Sequence, residues 1–141
     1  MKIVFVETPE QLKLCYPALK ELRPHLEEKT YMDRMQLMLT EGVKVLMVLE
    51  EGIAPCVACF RVNYYLFRGK NLYIDDLVTL PQYRGKGYAG KMLDFIKEYA
   101  ISIDCDTMHL DSGPTRNDAH RLYLNKGFII SSHHFSMNLK K

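Results

Sequence analysis

Apolar and β-branched residues run together over residues 2–6, KIVFV, and predict a first strand. Thr8-Pro9-Glu10-Gln11 follows with the chemistry of a helix start. Thr8 is placed as N-cap, Pro9 fits the first helical position and Gln11 closes a capping box. Leu12, Cys15, Tyr16 and Leu19 then recur at helical spacing, with Pro17 expected to kink or shorten the helix and Pro24 to close it. A second helix is predicted over 28–41, carrying Met32, Met35, Met38 and Leu39 on one side and stopped by Gly42. The methionine stripe reads as core, although methionine also adapts to irregular apolar ligands.

Residues 43–50 and 53–62 read as a hairpin about Glu51-Gly52, and 71–80, NLYIDDLVTL, as a third consecutive strand after the Arg68-Gly69-Lys70 turn. Ala89, Met92, Leu93, Ile96 and Ala100 mark a helix opened by QYRGKGYAGK. TMHLDS at 107–112 is the next strand. NDAHRLYLNKG at 117–127 is a short helix, with Asn117 as cap and Gly127 as stop. FIISSHHFSMNL at 128–139 closes the chain as one or two strands. The predicted order is βααβββαβαββ, an α/β (α+β) fold with a mixed sheet flanked by helices, in a single domain over 1–141.

Composition narrows the function. The 141 residues are 48% hydrophobic and 26% charged, the balance of a folded domain. Nineteen basic against 17 acidic residues leave +2, which argues against a nucleic-acid binder working through a broad basic field. No window approaches the ~20 apolar residues of a membrane span. MKIVFVETPEQ has no long apolar run after its charge, so no secretion signal is read. The expectation is a cytoplasmic protein with reduced thiols. Cys56 and Cys59 are three apart on a predicted strand and point to opposite faces, there is no second CxxC, and Cys15 and Cys105 are distant. No metal site is expected, and the cysteines read as buried core.

The chemistry concentrates in Gln82-Tyr83-Arg84-Gly85-Lys86-Gly87-Tyr88-Ala89-Gly90-Lys91, which joins a strand to a helix start. Unpaired N–H groups and the helix dipole favour an anion there, glycines let the backbone approach it, and Arg84, Lys86 and Lys91 add charge. Phosphate binding follows. Gly85 to Gly90 spells G-x-G-x-x-G, but a dinucleotide fold opens with that fingerprint and needs several βα units, whereas three apparently antiparallel strands precede it here. Gly85 to Met92 matches G-x-x-x-x-G-K, but Met92 stands where a Ser or Thr would hold Mg²⁺. Gln82, Gly85 and Gly87 also give Q-x-x-G-x-G directly after D-D-L-V-T-L.

A second block, Ala119-His120-Arg121-Leu122-Tyr123-Leu124-Asn125-Lys126-Gly127-Phe128, follows at a fitting distance. Together these blocks resemble the GNAT superfamily of acyl-CoA-dependent N-acetyltransferases, with the second matching its A-x-x-(F/L)-Y-x-x-x-G-F segment. The resemblance departs in Gln82, where many members carry Arg, and in Leu122, where Phe is common. It implies a CoA pyrophosphate on the N–H groups of Arg84, Gly85, Lys86, Gly87, Tyr88 and Ala89, and a pantetheine arm along Leu77, Val78 and Thr79. An N–H near Val78 or Thr79 would polarise the thioester carbonyl. Tyr123 matches the position of the family's general acid, which protonates the leaving thiolate. Asn117 and Lys126 match positions near the cofactor, and Gln82 belongs to the loop motif.

The implied reaction is transfer of an acetyl group from acetyl-CoA to a primary amine of a small molecule or a protein. No metal, nucleic acid or membrane takes part. Asp75 and Asp76 sit on the strand entering the site, where alternation sends one to each face, and either is a candidate proton acceptor. Pairing with a nearby Arg or Lys is the competing reading. At most one of His133 and His134 faces the cleft. His109, His120 and Asp111 read as structural or solvated. A C-terminal edge strand leaves a homodimer open. The rival functions are a catalytically silent CoA-binding regulatory protein and, disfavoured by topology, a dinucleotide-binding oxidoreductase.

Overall fold

In a computed structural model that describes residues 1–140, the first 65 residues fold as β1 (Lys2–Phe5), α1 (Pro9–Leu22), α2 (Glu28–Thr40), β2 (Lys44–Glu50) and β3 (Ile53–Tyr65). They are followed by β4 (Gly69–Thr79), a single 3₁₀ turn at Pro81–Tyr83, α3 (Tyr88–Ser102), β5 (Thr107–Leu110) and α4 (Asn117–Asn125). The chain divides into two compact units, one spanning Met1–Leu110 and the other beginning at Asp111.

The first unit is a five-stranded sheet in the order β1-β2-β3-β4-β5. The first four strands are antiparallel, and β5 joins β4 in parallel, so the sheet is mixed as predicted. Four antiparallel strands ahead of the glycine loop rule out the dinucleotide fold, which needs parallel βαβ units there. The β2–β3 hairpin turns at Glu51 and Gly52, both with positive φ (51° and 78°), the geometry that matches strand twist.

The Thr8 capping box forms as predicted. Thr8 Oγ1 accepts from Gln11 N at 3.2 Å, and Gln11 Oε1 accepts from Thr8 N at 3.1 Å. Pro17 does not shorten α1. Leu12, Cys15, Ala18 and Leu19 are buried on both sides of it, and that burial outweighs the one hydrogen bond the proline removes. The helix ends at Arg23, before Pro24. These side chains pack with Tyr31 and Met35 of α2 and with Val45, Met47, Val57, Cys59 and Val78 of the sheet. The methionine stripe is thus core at Met35, with Met32 and Met38 packed against it. On the other face, the ring of Tyr99 in α3 meets Phe5 and Phe60 at 5.3 and 5.5 Å.

Strand β4 changes face partway along. Phe60 pairs with Ile74 and Cys59 with Asp76, so Asp75 is an extra, bulged residue. Beyond it, Val78 joins the core under α1 and α2. Before it, Ile74 lies opposite Phe60, on the face that α3 covers.

Two local expectations fail in the second unit. Arg116, not Asn117, is the N-cap of α4, and no side chain caps it; Asn117 is the first helical residue. Residues 128–139 form no strand among the described residues. Ile129, Ile130, Phe135, Met137 and Leu139 are exposed there, because an alternating pattern makes a strand only where a partner supplies hydrogen bonds. The C-terminal edge strand behind the homodimer expectation is therefore absent from the described residues.

Replacing the capping hydroxyl tests the start of α1. Thr8→Ala is expected to destabilise the protein by about 1 kcal/mol in urea unfolding, with an unchanged m-value.

Candidate active site

The path from β4 to α3 is built from backbone. β5 pairs with β4 only from Asn71 to Ile74, so Asp76 to Thr79 pair with β3 alone. Leu77, Val78 and Thr79 therefore present one side of their main chain without a strand partner, as an extended arm lying along them requires. Their side chains are held from β3. Val78 is buried opposite Val57, Leu77 pairs with Ala58, and Thr79 faces Cys56 and bonds its thiol.

The turn that follows is tight. Tyr83 N donates to Leu80 O at 2.9 Å and Arg84 N to Pro81 O at 3.3 Å, which places Gln82 in the 3₁₀ turn. Of the six amides predicted to meet phosphate, that of Arg84 thus already has a weak internal acceptor. Those of Gly85, Lys86 and Gly87 donate to no backbone acceptor among the described residues. Tyr88, Ala89 and Gly90 begin α3, where no acceptor lies four residues back, and the first satisfied amide is Lys91 N, 3.1 Å from Gly87 O. No side chain caps the helix.

Gly85 and Gly87 have φ of +78° and +83°, a backbone only glycine adopts without strain, and a Cβ at either would meet nothing within 4 Å. The residues therefore fit a phosphate: consecutive amides at a helix start, open space above two glycines, and cations beside them. Arg84 is braced by Thr79 O (Nε, 3.3 Å) and by Glu21 (3.8 Å). Lys86 Nζ lies 5.2 Å over the Tyr83 ring. Tyr88 is tied down by its side chain, its hydroxyl donating to Glu50 Oε2. That bond to a carboxylate, with some burial, pushes the phenol up to about 12.

Asp75 and Asp76 do not face opposite ways. The bulge turns both toward the face under α1 and α2, where both act on the Cys59 thiol and raise its pKa. Each has an arginine partner. Asp76 Oδ1 accepts from Arg23 Nε at 3.0 Å and Nη2 at 2.8 Å; Arg23 is the residue that ends α1. Asp75 Oδ2 accepts from Arg61 Nε at 2.9 Å, with Nη2 at 2.8 Å. Burial pushes the Asp75 carboxyl above its usual range and outweighs the opposing pull of Arg61. Arg23, Arg61 and Glu50 are site neighbours that motif reading passed over. The signal available for Arg61 was a charge inside an otherwise apolar strand.

Cys15, Cys56 and Cys59 are buried core thiols whose pKa values burial raises, the first two to about 12 and about 11.

In the second unit, Tyr123 lies on α4 with its ring against Phe128 at 5.9 Å. Burial raises its pKa, with Arg116 opposing, so the hydroxyl keeps its proton at neutral pH. Lys126 is the C-cap of α4. His134 Nδ1 lies 3.5 Å from Asp111, and His120 Nε2 is 2.7 Å from Gly113 O.

The model of the acetyltransferase (GNAT) family matches residues 10–128. The chain is 37% identical over 130 residues to the uncharacterized N-acetyltransferase YhdJ of Bacillus subtilis, covering 89% of this chain and 90% of that one. It is 29% identical over 70 residues to thialysine N-epsilon-acetyltransferase of Bos taurus, 48% of this chain and 41% of that one. An aminoglycoside N-acetyltransferase solved in complex with CoA shares the fold at 14% identity, with a TM-score of 0.84 over 99% of this chain and 96% of that one.

Removing the Tyr88 hydroxyl tests the tether. Its folded pKa lies above the unfolded value of 10, so the stability it contributes is complete below pH 10 and lost as pH rises towards 12. The parent should be more stable than Tyr88→Phe at pH 8, and the gap should close between pH 10 and 12 in denaturant titrations.

Proposed function

This chain belongs to the acetyltransferase (GNAT) family and is an acyl-CoA-dependent N-acetyltransferase, and on that premise we propose that it moves the acetyl group of acetyl-CoA to a primary amine of a small molecule or a protein. The observation that carries this reading is the run of unpaired amides from Gly85 to Gly90 beneath two glycines of positive φ. A family match crossing both units, from residue 10 to 128, supports one functional domain. Four free cysteines, three of them buried, fit a reducing compartment and a cytoplasmic location.

Acetyl-CoA supplies the acetyl group as a thioester. The amides of Gly85, Lys86, Gly87, Tyr88 and Ala89 bind its pyrophosphate, with Arg84 and Lys86 adding charge and Gln82 shaping the turn. Leu77, Val78 and Thr79 orient the arm through their unpartnered main chain, and an N–H at Val78 or Thr79 donates to the thioester carbonyl. Asn117 and Lys126 are further cofactor contacts. Asp75 or Asp76 accepts the proton that the attacking ammonium must lose. Tyr123 Oη gives its proton to the departing sulfur, and its phenolate takes the second N–H proton that the new amide must lose, a role supported by a phenol that stays protonated through neutral pH. Thialysine and the aminoglycosides, for which two of the similar proteins are named, are amines, which supports the acceptor class.

Thiol release from acetyl-CoA, screened over thialysine, aminoglycosides, polyamines, amino acids and amino-terminal peptides, tests the reading. At least one amine should give turnover, and none doing so would refute it. With that amine, Tyr123→Phe should lower kcat by about 10²–10⁴-fold with an unchanged fold, and parental activity would remove Tyr123 as the acid.

Gly87→Ala should destabilise the protein by about 1–2 kcal/mol and weaken CoA binding in calorimetry at least tenfold. CoA affinity equal to the parent's would count against the loop as the phosphate site.

A further inference from the structure

Resting on the acetyltransferase reading above, we infer that the acceptor carries an acid group, a carboxylate or a phosphonate, besides the amine it offers, and that Arg61 is the residue that binds this group. Two arginines lie over the acids of β4. Arg23, at the end of α1, bonds Asp76, and Arg61 of β3 bonds Asp75. The order of the layers decides what an incoming solute meets. The arginine side chains are 48% and 41% exposed, their carboxylate partners 16% and 20%. Guanidinium N–H groups therefore form the outer surface, with the carboxylates partly covered beneath them.

The two guanidiniums differ in what they have left to give. A guanidinium has five N–H donors, and its Nε–Nη2 and Nη1–Nη2 edges each fit an oxyanion bidentately. Arg61 turns its Nε–Nη2 edge to one oxygen, Asp75 Oδ2, at 2.9 and 2.8 Å. Its Nη1–Nη2 edge meets no acceptor among the described residues. Arg23 turns the same edge to Asp76 Oδ1, at 3.0 and 2.8 Å, but its Nη2 also reaches Asp75 O at 3.3 Å. The intact edge belongs to Arg61.

Its place on the sheet fits an acceptor subsite. Asp75 lies two residues before Leu77, where the main chain proposed to hold the pantetheine arm begins. With pyrophosphate on the loop beyond Thr79, an arm lying along β4 runs back toward Asp75, and its acyl end is the end nearer Arg61. The other charges of this cluster are Asp75 and Asp76 of β4, Arg23, and Glu41 at the end of α2, which acts on Arg61 without forming an ion pair. Two cations against three anions leave one net negative charge, which draws an ammonium in. Only the open Arg61 edge offers directed donors to an oxyanion. An acceptor with both charges satisfies both features, whereas a polycation leaves that edge to water.

Matched amines with and without the acid group test this on the full chain with acetyl-CoA. The pairs are thialysine against its decarboxylated diamine, and 3-aminopropylphosphonate against propylamine. In the parent, the acid-bearing member of at least one pair should have a kcat/KM about tenfold higher or more, carried by KM. Which pair shows it tells carboxylate from phosphonate. Arg61→Gln should erase that preference through a rise in KM for the acid-bearing member. Arg61→Lys, which keeps the charge but not the two-pronged edge, should restore only part of it. Equal kcat/KM within both pairs of the parent would overturn the inference, as would a preference that survives in Arg61→Gln. A polyamine or aminoglycoside used more efficiently than either acid-bearing amine would overturn it too. If no amine turns over, the acetyltransferase reading fails separately, and calorimetry with thialysine and 3-aminopropylphosphonate decides the inference. At least one should bind the parent about tenfold more tightly than Arg61→Gln; equal affinities, or binding of neither, would overturn it.

Discussion

The amides of Gly85, Lys86 and Gly87 and the first turn of α3 have no acceptor within the helix or the turn, and φ at Gly85 and Gly87 is positive. An unsatisfied amide costs little while water reaches it, and it offers a directed donor to any anion that displaces that water. Two features keep this end open. No side chain caps it, and a tyrosine hydroxyl bound to Glu50 fixes the side chain of the first helical residue. Neutralising the helix start with a Ser or Asp cap would satisfy the same donors and remove the reason an anion binds.

Strand β4 imposes the second constraint. Its pairing with β5 stops at Ile74 and its register slips at Asp75, so the next residues keep a partner on one side only. The slip also decides where charge goes. Without it, alternation would bury one of two adjacent carboxylates beneath α3, against Phe60 and Tyr99, at a large desolvation cost. With it, both lie among arginines. Even so, burial outweighs the Arg61 pairing at Asp75, the usual result when an ion pair is partly withdrawn from water.

Much of this was legible in the residues. The capping box at Thr8, the turn at Glu51-Gly52, the apolar stripe of α3 and the glycine loop are local signals, set by neighbours a few positions away, and each formed as predicted. What failed depended on distant partners. The orientation of Asp75 and Asp76 turned on a register shift against β3 that no period-two pattern contains. Pro17 was tolerated because packing on both sides of it held α1. The apolar–polar alternation after Phe128 described a strand, but strand formation needs a neighbour, and among the described residues none pairs with it. At the candidate site, the backbone loop was readable because glycine spacing encodes it, whereas Arg23 and Arg61 were not, because long side chains reach across elements.

A crystal structure of the protein grown with CoA tests the central claim most directly. Pyrophosphate oxygens are predicted at about 2.9 Å from the amides of Gly85 to Ala89, with the pantetheine arm beside Leu77 to Thr79. CoA bound elsewhere, with these amides still facing water, would contradict the account.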